Sequence, residues 1–134
     1  MKKVSTLTLK PAIREQSRTS YLDLYVNEKR LATILDAGDL ITPLGWLNQE
    51  NEQHFVRMLE GKASGDLPSL RVPLFICPEC ADYGCGTIAC RISYEDNVAV
   101  WSDFAWESSV EIKQLNFEYR YQFDATEYVR IFNR

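Results

Sequence analysis

Histidine is nearly absent from this 134-residue chain, and long apolar runs are missing altogether. With His54 as the only histidine, a hydrolase of the Ser-His-Asp or Cys-His kind has a single candidate base. His54 lies at the edge of an amphipathic segment beside Phe55, where a surface or half-buried side chain is the simpler account. No stretch approaches the roughly 20 apolar residues of a membrane-spanning helix. The opening MKKVSTLTLKPAIREQ carries two lysines and then alternates polar and apolar residues. It never forms the apolar stretch of about 7–15 residues that a secretory signal needs. A cytoplasmic protein with reduced thiols is therefore expected, and a disulfide framework is not. There is no phosphate loop, dinucleotide fingerprint or nucleophile elbow, so these motifs lend an enzyme no support. Internal repeats and low-complexity tracts are also missing, which sets aside solenoids and disordered linkers.

What is present is an ordinary globular composition, 46% hydrophobic and 25% charged, long enough for one domain over residues 1–134 with a real core. The net charge of −4 is unevenly placed. Residues 1–94 hold eleven acidic and eleven basic side chains, whereas residues 95–134 hold eight acidic and four basic ones. Ten of the sixteen aromatic residues also lie between Tyr94 and Phe132. An acidic, aromatic-rich final third argues against a nucleic-acid partner, which calls for clustered Lys and Arg. It suits a basic protein partner, or simply an acidic surface over an aromatic core.

The expected fold class is α+β, an antiparallel sheet with two or three helices on one face. Period-two alternation marks strands at 4–9 and 19–26. Residues 31–35 read as a second strand or a short helix, and Thr42-Pro43 opens a short turn. The best helix runs from about Asn48, its cap, to Glu60, with Gly61 to stop it. VPLFI at 72–76 reads as a buried strand. Residues 87–94 and 98–106 form a hairpin, and a three-residue loop would pair Ile92 with Val100 and Cys90 with Ser102. That register sets Arg91 beside Trp101 as a cation–π pair. Residues 117–123 would place Phe117, Tyr119, Tyr121 and Phe123 on one side of a strand. Asp124 then caps a final helix, with a capping box to Glu127 and a staple between Phe123 and Tyr128.

All four cysteines, Cys77, Cys80, Cys85 and Cys90, fall within fourteen residues in the spacing C-x2-C-x4-C-x4-C. Four soft ligands so close can surround one tetrahedral ion, for which Zn²⁺ is the usual choice. The expected strand instead makes Cys90 a buried small hydrophobe. Cys77, Cys80 and Cys85 then remain, with Asp82, His54 or water as a fourth ligand, or as unliganded thiols in a tight turn. The CPEC pair also permits thiol–disulfide chemistry, although an acidic residue inside the motif does not help form a thiolate. Asp103 and Glu107, beside Trp101 and Trp106, suggest a paired-carboxylate site, but a solvated outer face is the simpler account.

The cysteine spacing resembles the zinc knuckle of retroviral nucleocapsid proteins, with Cys85 where that family has histidine and Gly84 at a knuckle glycine. Glu79 and Asp82 stand where such a knuckle has basic residues, so nucleic-acid binding does not carry over. Pro73 to Gly86 and Val100 to Glu107, a PLF-CPEC-D-GCG core followed by V-WSDF-WE, resemble an uncharacterised group of small bacterial proteins, and the PLGW at 43–46 also fits. The resemblance implies that Cys77, Cys80 and Cys85 belong to the shared pattern and that Cys90 replaces an apolar residue. It implies no activity.

Three functions are therefore expected. The first is a non-catalytic interaction domain, concretely an immunity-type protein masking a basic toxin nuclease through Trp101, Asp103, Trp106, Glu107 and Glu111. The second is a domain with one structural zinc ion. The third is a thiol–disulfide oxidoreductase using Cys77 and Cys80.

Overall fold

The computed structural model describes residues 4–80 and 83–133, and the expectation that Asp82 is a metal ligand lies outside them. The class is α+β, with two antiparallel sheets rather than one. The first sheet orders β1 (Leu7–Arg14), β2 (Thr19–Val26) and β3 (Lys29–Arg30) in sequence. Pro11 falls on β1, an edge strand, where its missing N–H breaks no central ladder. The strand expected at 4–9 begins later and runs on to Arg14, because β1 keeps an unbroken register with β2. Asn27 and Glu28 turn β2 into β3 with φ of 51° and 69°. Leu31–Ile34 is a single helical turn, α1, which settles the choice between strand and helix there.

Helix α2 (Gln49–Leu59) begins as its sequence dictates: the Asn48 side chain accepts the Asn51 N–H at 2.8 Å. Gly61, at φ 77°, follows its end. Phe55, Met58 and Leu59 face the core.

The second sheet orders β4 (Val72–Phe75), β5 (Thr87–Glu95), β6 (Val98–Glu107) and β7 (Ile112–Gln114). β8 (Tyr121–Asp124) pairs the first half of β6, from Val98 to Trp101, and β7 pairs the second, from Ala105 to Glu107. The 87–106 hairpin is present, but its register differs from the expected one. The loop has two residues, Asp96 and Asn97, at φ 48° and 65°, the left-handed pair that two-residue hairpins favour. Ser93 therefore pairs with Val100 and Ile92 with Trp101. The expected register assumed one wet face. Val98, Ala99, Val100 and Trp101 are all buried, and successive residues point to opposite faces, so β6 is covered on both sides. The pairing shifts between Ala89 and Arg91, and Asp103 sits at φ 55° opposite that shift. This β-bulge turns Asp103 out of alternation.

The strand expected at 117–123 forms only from Tyr121, as β8 (Tyr121–Asp124), and Phe117 is exposed. Helix α3 (Ala125–Phe132) follows as expected, with the Asp124 side chain accepting the Glu127 N–H at 3.0 Å. Phe123 and Tyr128 stack with centroids 5.8 Å apart. One hydrophobic cluster draws on both sheets and all three helices. Ser5 ties the sheets together by pairing with Phe123 and donating its N–H to Gln122. Among the described residues, no helix is long and apolar enough to cross a membrane.

Candidate functional site

The cysteine segment connects two antiparallel strands whose ends are fixed. On the β4 side, Ile76 exchanges backbone hydrogen bonds with Ile41. On the β5 side, the Thr87 hydroxyl donates to the Phe75 carbonyl at 2.6 Å. Residues 77–86 must therefore turn back over a short distance. Gly86 permits this at φ 115°, and a Cβ there would lie 2.4 Å from the Trp106 ring. The indole thus lies directly on the glycine backbone, and only glycine fits.

This turn brings Cys77, Cys80 and Cys85 together, with every Sγ within 4.8 Å of the other two. Cys80 and Cys85 are exposed and Cys77 is half-buried; all are free thiols. Backbone N–H groups of Cys80 and Glu79 point at the Cys77 sulfur and hold its thiol below the ordinary value, against the upward push of burial. Hydrogen bonds to the charged form favour the thiolate, the form that binds metal. The Cys85 sulfur, 2.7 Å from that of Cys80, pushes the Cys80 thiol up to about 12.

Cys90 does not join this group, which corrects the four-thiolate set. It pairs with Val72 inside the second sheet and is 0% exposed. Burial drives its thiol well up, away from the ligating form. His54 is engaged elsewhere: its Nε2 meets Asp66 Oδ1 at 2.8 Å, and Asp66 Oδ2 accepts the Tyr83 hydroxyl at 2.7 Å. This clamp fastens the cysteine loop to α2. Burial, with the bond to Asp66 second, pushes the Tyr83 hydroxyl up, so it stays a donor. The Arg14 guanidinium lies 3.5 Å from Glu79 on the other arm of the loop.

The five residues expected to meet a partner do not share one surface. Trp101 is 0% exposed, and its indole N–H donates to the Tyr128 hydroxyl at 2.9 Å. Glu107 is 1% exposed and accepts from Ser69 at 2.5 Å. Neither can anchor a partner, because β6 is covered on both faces. The Arg91–Trp101 cation–π pair is not formed either: Arg91 Nε donates to Asp103 Oδ2 at 2.7 Å. Trp106 is half-buried over Gly86, with Lys113 Nζ 5.2 Å from its ring, and Glu111 is exposed.

Asp103 is not a solvated outer carboxylate. It receives Arg91, Gln114 Nε2 at 2.7 Å and Arg71 Nη2 at 3.0 Å, while Arg71 Nε donates to its carbonyl at 2.9 Å. Arg71 also lies 3.8 Å from Glu107. Arg71 carries no local sequence signal, because its partners sit more than thirty positions away. The one available signal was Asp103 itself, an acidic residue interrupting a strand.

No family model, curated protein or solved structure matches this chain.

Proposed function

We propose that this chain is a non-catalytic domain whose β4–β5 connection carries one structural zinc ion on Cys77, Cys80 and Cys85. The observation that carries the reading is the convergence of three sulfurs within 4.8 Å in a turn clamped on both arms. Thiolates select zinc among common divalent ions; the three sulfurs fill three of its four tetrahedral positions, and water is the fourth ligand. The backbone donors to Cys77 are the supporting bonds such ligands use. Full-length protein purified without chelator should contain one zinc per chain. Chelation should then lower Tm by on the order of 10 °C. Cys77→Ser should abolish binding and Cys90→Ala should retain it. Substoichiometric zinc in the unaltered chain would refute the reading.

A second reading, recognition of a basic protein in the manner of a toxin-masking immunity protein, is supported by the segment after β6. Val110, Ile112 and Phe117 are exposed large apolar side chains, Glu111 lies exposed among them, and β7 is a sheet edge. Trp101 and Glu107 play no part in it. Glu111→Lys should weaken binding to a basic toxin domain encoded by a neighbouring gene roughly fivefold at low salt, and less at high salt. If titration calorimetry at low salt detects no binding by the unaltered chain, this reading is lost.

A further inference from the structure

We propose that Cys80 and Cys85 are a site of oxidative modification, closing to a disulfide that expels the metal. The inference rests on the zinc reading above and adds its regulation. A tetrahedral zinc site with bonds of about 2.3 Å holds its sulfurs roughly 3.8 Å apart. Cys80 and Cys85 lie closer, at 2.7 Å, and a disulfide bond is about 2.0 Å long. The two sulfurs are neighbours in the turn, so a disulfide between them needs only a small movement. Both thiols are exposed, so an oxidant has access, while Cys90 is buried and shielded. The two clamps, Tyr83 to Asp66 and Arg14 to Glu79, hold the loop from residues other than the reacting sulfurs. Oxidation need not unfold the loop.

The oxidant is a peroxide. One thiolate sulfur attacks a peroxide oxygen, the O–O bond breaks, and a sulfenic acid and one hydroxide form. The second thiolate attacks the sulfenic sulfur, the S–O bond breaks, and a second hydroxide leaves as the S–S bond forms. Two thiolates lose two electrons in all, one hydrogen peroxide is reduced to two hydroxides, and solvent protons convert these to water. The metal is left with Cys77 alone of its three thiolates, too few to retain it.

The experiment takes the full chain, measures its zinc content, then adds hydrogen peroxide. Released zinc is followed with a chromogenic chelator, and cysteines are mapped by differential alkylation and mass spectrometry. The expected result is one zinc released per disulfide formed, with Cys80 and Cys85 protected and Cys77 and Cys90 alkylated after unfolding. A thiol reductant with added zinc restores the starting state. A zinc-loaded chain that keeps its metal and free thiols overturns the switch and leaves the zinc site standing. Release through a Cys77 disulfide, or through sulfinic acids without a disulfide, also overturns it. A chain that binds no zinc before oxidation refutes the site itself, and the metal-coupled switch with it.

Discussion

Replacing Trp101 with alanine is expected to destabilise the fold by about 3–5 kcal/mol, as for other large aromatic residues removed from a core. The indole is fully enclosed, and its ring meets Phe123 edge-on at 5.1 Å and Tyr128 at 6.0 Å. Its N–H donates to the Tyr128 hydroxyl, which in turn donates to the Leu59 carbonyl at the end of α2. One side chain thus joins β6, β8 and α3 to α2. The truncation leaves a cavity and also costs the Tyr128 oxygen its donor. Native domains have only about 5–15 kcal/mol in total, so the variant should stand close to unfolding. Trp101→Phe fills most of the space and should cost roughly half as much. Urea denaturation measures both, with an unchanged slope expected if the unfolded ensemble is unaltered. A loss below about 1 kcal/mol for the alanine variant would contradict the enclosure of this residue.

Arg71→Ala should cost about 3–5 kcal/mol, because breaking a buried ion pair leaves charge without compensation. Asp103 would keep Arg91 and Gln114, but Glu107, almost wholly buried, would keep only the Ser69 hydroxyl. The triple variant Arg71→Met, Asp103→Asn, Glu107→Gln should recover most of the loss, since the expense lies in the orphaned carboxylates rather than in the missing guanidinium. The same cluster has a pH signature. Burial pushes the Asp103 carboxyl up, but hydrogen bonds from Arg91, Gln114 and Arg71 outweigh it and hold the group below its ordinary value of 3.8. A carboxylate depressed in the folded state contributes stability that is fully present above the ordinary value and lost as pH falls through the folded one. Stability should therefore drop on the acid side of about pH 4, and Asp103→Asn should flatten that drop. An acid limb identical in the two proteins would remove Asp103 as its cause.

The parts of the fold governed by neighbours in sequence were legible. Asn48 and Gly61 bound α2, Asp124 caps α3, and Phe123 stacks on Tyr128, because each contact spans at most a few residues. The hairpin register was not legible. Alternation identifies a face only when the other face is wet, and both faces of β6 are covered. The joining of the two sheets depends on pairings such as Ser5 with Phe123, which no local pattern announces. At the site, the spacing offered all four cysteines as one set, and only the β4–β5 pairing, which buries Cys90 opposite Val72, separates it from Cys77, Cys80 and Cys85. The clamp of His54, Asp66 and Tyr83 joins three segments whose side chains are individually unremarked polar residues. The burial of Trp101 ran against the expectation for an aromatic beside acidic residues.

Asp103 grips Arg71 just before β4 and Arg91 within β5, and the whole thiol-bearing stretch lies between those two arginines. A single carboxylate on a third strand thus draws the two ends of that stretch together. Part of the entropy of gathering the three sulfurs is already spent in the folded protein, through an oxygen that touches none of them.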